Sequence, residues 1–196
     1  MNLFTTPLRR FVGATVLTLG LIATAGGLSA VSAQQKAKAS PPVLVTSLGQ
    51  SLDGFQVQLA VRRAGIAFKY DAHAEPALLN DAKTLFLAVG ASLKGFGEAG
   101  ISIKDEIARA GRLLDTAKSK GVFVVVLHIG GEERRDDLSN QLIELVAPRS
   151  QLLIIRNDSD KDGLFTKIAK ANNIPLVVVE GVANLKPPFD ELFTGS

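Results

Sequence analysis

The 196-residue chain carries 22 Lys and Arg against 19 Asp and Glu and is 46% hydrophobic, with no cysteine and no tryptophan. The missing thiols exclude disulfides, thiolate metal sites and a cysteine nucleophile, so packing alone must hold the fold. A near-balanced charge with a single tyrosine and no basic stripe excludes the usual footprint of nucleic-acid binding.

The first segment reads as an address. Arg9 and Arg10 precede an uncharged apolar run, Phe11 to Leu28, and the small residues Val31-Ser32-Ala33 offer a signal-peptidase site before Gln34. A membrane anchor needs about 20 apolar residues. This run is diluted by Gly and Thr and ends in a cleavage site, which favours a cleavable signal over residues 1–33. The arginine pair lacks twin-arginine spacing, so the general secretory route is expected, with an extracytoplasmic product and no membrane span after cleavage. The signal takes Arg9 and Arg10 with it, so 22 less two leaves 20 basic residues against 19 acidic, net +1. Residues 34–42 (QQKAKASPP) have no apolar period and read as a disordered tether.

Residues 43–196 read as one α/β domain. Apolar runs recur at Val43 to Thr46, Ile66 to Tyr70, Leu85 to Val89, Val122 to Leu127, Leu152 to Ile155 and Leu176 to Val179. Most are continuous, the pattern of strands buried on both faces of a parallel sheet. Helical periods lie between them at Phe55 to Ala64, Ile103 to Lys120, Leu138 to Val146 and Leu164 to Asn172, with a short helix at Glu75 to Ala82. Gly65, Gly121 and Asn173 stand at the expected C-caps, and Pro148 ends another helix. Six strands with interleaved helices predict a three-layer α/β/α sandwich, mostly parallel, in flavodoxin-like order 2-1-3-4-5 with the sixth strand at an edge. A Rossmann order is the alternative.

Ligands in such sheets bind beyond the carboxyl ends of the strands. The loop after strand one supplies Ser47, Gln50 and Ser51, and the loop after strand three supplies Ser92 and Lys94. The loop after strand four supplies His128, Gly130, Gly131, Arg134 and Arg135. Gly-rich turns and helix starts favour an anion, and an arginine fork suits a carboxylate. These residues are therefore candidate ligands of a small anion, with His128 as a candidate acid/base. Ordinary turn and cap chemistry explains the same residues without a ligand. Asp158, Asp160 and Asp162 match the first half of a calcium loop. Ala169 occupies the twelfth position where a Glu is expected, so they are weak metal candidates only.

Three enzyme templates fail. Gly95 to Gly100 spells G-x-G-x-x-G, but it does not follow the strand at once, since Ala91 to Lys94 intervene, and Lys120 stands where a ribose-binding acid belongs. Gly90 to Gly95 approximates a nucleophile elbow with its second glycine one place late. Ser92, Asp158 and His128 do not follow the hydrolase chain order. A Walker loop is absent, and no cofactor is expected.

The strings TSLGQS, LAVGASLKGFGEAGISIKDEIAR, HIGGEERR and DGLFTKIAKANNIPL, in that order, resemble a bacterial family defined as a domain of unknown function, number 6305. The likeness spans Val43 to Glu180. It implies an exported α/β protein and carries over no catalytic residues. Its last loop stresses Asp162, Gly163 and Phe165 above Asp158 and Asp160, which weighs against calcium. The expected function is a binding module for a small anionic metabolite. The alternatives are an extracytoplasmic lyase, isomerase or hydrolase using His128, and an accessory partner of a membrane transporter. The oligomeric state is not legible. Exported protein should begin at Gln34 on N-terminal sequencing, whereas an intact Met1 would make the apolar run an anchor.

Overall fold

The computed structural model describes residues 38–194, and the signal and the first four residues of the tether, 34–37, lie outside them. Six strands form one sheet in the order β2-β1-β3-β4-β5-β6, and every neighbouring pair is parallel. The strands are β1 (Val43–Leu48), β2 (Phe68–Tyr70), β3 (Thr84–Val89), β4 (Phe123–His128), β5 (Leu152–Arg156) and β6 (Leu176–Val179). This is the flavodoxin-like order with the sixth strand at an edge, within a three-layer α/β/α sandwich.

The period-two alternation of a strand sends successive side chains to opposite faces. Leu85, Leu87 and Val89 of β3 join one core, and Phe86 and Ala88 join the other. Both faces are apolar, so the sequence shows continuous runs. The first core is closed by α3 (Ile103–Lys120), α4 (Asp137–Val146) and α5 (Leu164–Asn172). The second is closed by α1 (Asp53–Arg63) and α6 (Lys186–Phe193). The chain steps one way from β1 to β2 and the other way from β3 onward. Right-handed crossovers then place α1 opposite α3, α4 and α5.

Two helices escape the sequence pattern. The short α2 (Leu93–Ala99) lies inside what reads as a Gly-rich loop. Its N-cap Ser92 accepts a hydrogen bond from the Gly95 amide at 3.1 Å, and the helix stops at Gly100. The other is α6, hidden by Pro187 and Pro188. Proline is tolerated in a first turn, where the amides have no intrahelical partner. Phe189 then anchors the helix, fully buried with its ring 5.2 Å from that of Phe86. The expected helix at Glu75 to Ala82 is a 3-10 turn, Pro76–Asn80.

The long α3 begins in a capping box. The Ser102 hydroxyl accepts from the Asp105 amide, and the Asp105 carboxylate accepts from the Ser102 amide. One turn on, Glu106 and Arg109 are buried and paired at 2.8 Å. Glu106 accepts from the Gly49 amide at 2.7 Å and from the Gln50 side chain at 2.9 Å. Arg109 donates to the carbonyls of Ser47 and Ala74. The pair therefore ties α3 to the end of β1 and to the segment after β2. Removing one member strands the other charge in the interior, which costs about 3–5 kcal/mol. Urea unfolding of Arg109→Met should show a loss of that size, and an unchanged midpoint would mean that the pair does not brace the loop.

Candidate functional site

The β1 and β3 loops close on each other. Gly49 sits at φ +100°, and a Cβ there would lie 2.4 Å from the Gly90 carbonyl oxygen. Gln50 takes the left-handed region at φ +59° and bridges to Ala91. The Ser92 amide donates to the Gly49 carbonyl at 2.8 Å. Backbone thus fills much of the crevice where the topology reverses.

This packing disperses several residues expected to converge. Ser47 is buried, and its hydroxyl donates to the Ser51 carbonyl at 3.2 Å. The Gln50 amide serves Glu106, and the Ser92 hydroxyl serves its own helix start. Lys94 projects into solvent on α2, where it pairs with Glu98 at 3.7 Å, its side chain 86% exposed. The structure does not bring these four onto one open surface.

His128 is placed differently from the expectation of an accessible acid/base. It is the last residue of β4, and the alternation turns its ring inward against Phe165, 5.4 Å between centroids. No part of it is exposed. Its Nδ1 lies 2.8 Å from the Val89 carbonyl oxygen, and its Nε2 lies 3.2 Å from that of Gly131. Burial pushes the imidazole below its ordinary value, while the two carbonyls and Asp53 pull it back. Both nitrogens face carbonyl oxygens, and a neutral imidazole has a single N–H, so the ring donates to one of the two at a time and lies beneath the β4 loop.

The two arginines diverge. Arg135 stacks over Phe165 at 5.3 Å, forks onto Asp162 and bonds Asn140 and the Ser159 carbonyl. Arg134 turns the other way. Its only hydrogen bond among the described residues is a long one, 3.3 Å, to the Ala91 carbonyl. Among the described residues it makes no ion pair.

Around Arg134 lies a polar centre that the sequence patterns did not expose. A Cβ on Gly90 would fall 2.9 Å from Asp53 Oδ2, 3.5 Å from Ser51 Oγ and 3.8 Å from Arg134 Cβ. A Cβ on Gly130 would fall 2.2 Å from Arg134 Cγ and 2.8 Å from Asp53 Oδ2. Asp53 and the stem of Arg134 therefore share the space above two bare glycine backbones, at the mouths of β3 and β4. Asp53 is buried, and its Oδ2 has no hydrogen-bond partner among the described residues. Burial raises its carboxyl above the ordinary aspartate value. Arg134, the Ser51 hydroxyl, His128 and Arg156 pull it down without cancelling the rise. Arg156, at the end of β5, crosses Gly131, where a Cβ would meet its guanidinium, and forks onto Asp158.

The acidic loop after β5 scatters its carboxylates. Asp158 serves Arg156 and is held at about 2 by that guanidinium. Asp160 accepts from the Phe165 and Thr166 amides, and Asp162 serves Arg135. Among the described residues no cluster of three His, Cys, Asp or Glu side chains could hold a metal. A cavity of about 180 Å³ lies beside this loop, lined by Arg135, Asn140, Ser159 and the ion-paired Lys161 and Glu132. A groove of about 610 Å³ lies between α5 and the start of β6 and holds none of the expected site residues. No helix among the described residues is long and apolar enough to cross a membrane.

A raised carboxyl binds its proton more tightly folded than unfolded. The stability from Asp53 is therefore fully present below the unfolded aspartate value and is lost as pH rises through the folded one. At neutral pH a desolvated charge works against the fold. Asp53→Asn should raise the melting temperature near neutrality, by about 2–4 °C per kcal/mol relieved, and change it little near pH 3. A lower melting temperature at neutral pH would show that the carboxylate is structurally required.

None of the curated proteins matches the chain. Among solved structures, a GDSL-like lipase from Bacteroides thetaiotaomicron VPI-5482 aligns over 72% of each chain, at 14% identity and a TM-score of 0.35. The profile of a domain of unknown function, DUF6305, matches residues 40–193. The chain belongs to that family.

Proposed function

We propose that this domain is an exported binding module for a small anion, held above Gly90 and Gly130 by Arg134, Asp53 and Ser51. Export rests on the signal read over residues 1–33. The observation that carries the binding reading is the buried Asp53 Oδ2 without a partner. A buried polar atom left unsatisfied costs about 1–3 kcal/mol. Such a cost is most often tolerated where the group has a task. The raised carboxyl keeps a proton more readily than usual and, protonated, becomes a donor. The Arg134 guanidinium has five N–H groups and uses one, weakly. Two sets of donors above one glycine floor suit the oxygens of a carboxylate or phosphate. Arg156 adds positive charge from the neighbouring strand, although Asp158 offsets much of it.

Calorimetric titration with acetate and with inorganic phosphate tests this. The wild-type domain should bind at least one of them saturably. Arg134→Ala should weaken that binding about tenfold or more, equivalent to about 1.4 kcal/mol. Arg134→Lys should fall between, because it keeps the charge and loses the fork. Equal binding by wild type and Arg134→Ala would overturn the reading.

A further inference from the structure

Four large hydrophobic side chains are exposed among the described residues, and two of them, Leu52 and Leu93, stand in the segments that border this centre. Leu52 is 72% exposed, Leu93 76% and Phe55 47%, while the fourth, Val178, lies apart on β6. Leu52 stands in the chain between Ser51 and Asp53. Leu93 follows two residues after Ala91, whose carbonyl receives Arg134. The Gln50–Ala91 bridge and the bond from the Ser92 amide to Gly49 hold the two loops together, so both leucines rise from one clamped rim. Phe55 continues the apolar surface toward β2, its ring edge-on to Tyr70 at 6.4 Å.

One exposed leucine is ordinary. Two large apolar groups at the starts of the helices that frame an under-used arginine are a shelf beside a charged end. We propose that the ligand is an amphiphilic anion, its carboxylate or phosphate head taken by Arg134 and Asp53 and its alkyl or aryl body lying across Leu52 and Leu93. This rests on the anion reading above and adds the chemical class of the ligand. The complementarity is of charge at the head and of apolar surface beside it. Each methylene removed from water tightens binding about fourfold. Octanoate has six methylenes more than acetate, so covering two of them gives more than tenfold.

The test compares acetate with octanoate below its micelle concentration, and inorganic phosphate with octyl phosphate, by calorimetry on the exported chain. At least one long-chain anion should bind more than tenfold tighter than its short analogue. The double variant Leu52→Ser, Leu93→Ser should bring that ratio below about threefold, whereas Val178→Ser should leave it intact. Long and short anions binding alike would remove the shelf and leave the anion site standing. Binding of neither would overturn the anion site and the shelf with it. Octanoate binding that survives both the double variant and Arg134→Ala would show non-specific adsorption. Leucine-dependent binding to phosphatidylglycerol vesicles without binding of monomeric octanoate or octyl phosphate would replace the small ligand with a lipid surface.

Discussion

Two opposite charges are buried at the start of α3, and the end of β1 hangs on them. Glu106 and Arg109 sit one turn apart on the helix and reach the Gly49 amide, the Gln50 side chain and the carbonyls of Ser47 and Ala74. A buried ion pair is a poor source of stability, because desolvation offsets most of the attraction. It is a good source of definition, since each unmet hydrogen bond would be costly. Here it fixes a loop whose backbone includes a left-handed glutamine and a glycine pressed against the β3 loop. The bracket acts together with the Gln50–Ala91 bridge and the bond from the Ser92 amide to Gly49 in holding Gln50 at positive φ.

The bracketed loop delivers Asp53. It emerges at the first turn of α1, where an acidic side chain reads as a partner of the helix dipole. Instead the loop directs it over Gly90 and Gly130, out of water and short of a partner. The same two glycines let Arg134 come down from the β4 loop. The site is assembled from three loops with a floor of bare backbone, and any side chain at either glycine would fill it. His128 lies below, its ring between the carbonyls of Val89 and Gly131 at the ends of β3 and β4, with one N–H to give to either.

The strand order, the two apolar faces and the four long helices were legible because each rests on a period that the chain repeats. The carboxyl-edge location was legible for the same reason: it follows from a parallel sheet. Which side chains meet there was not. Ser47, Gln50 and Ser92 look like ligands in the sequence, but the two serines meet backbone needs of their own segments and Gln50 serves Glu106 on α3. Arg134 and Arg135 are indistinguishable as letters, and a single turn sends Arg135 to Asp162 and Arg134 across Gly130 to the Ala91 carbonyl. Asp53, Glu106 and Arg109 were missed because they read as ordinary helix charges, and burial alone separates them from solvated ones. The one sequence signal was spacing: Glu106 and Arg109 are three apart on the apolar side of an amphipathic helix. Arg156 offered a fainter one, a charge ending an otherwise apolar strand.

Asp53 is held out of water beside Arg134, and the proposed anion would sit next to both. A carbon-13 NMR titration of the Asp53 carboxyl, in the folded domain with and without saturating acetate or phosphate, tests it directly. The account predicts a titration displaced above the ordinary aspartate value in the free protein and displaced further when an anion is bound beside it, because a neighbouring negative charge favours the protonated form. An ordinary aspartate titration that ignores the anion would contradict it.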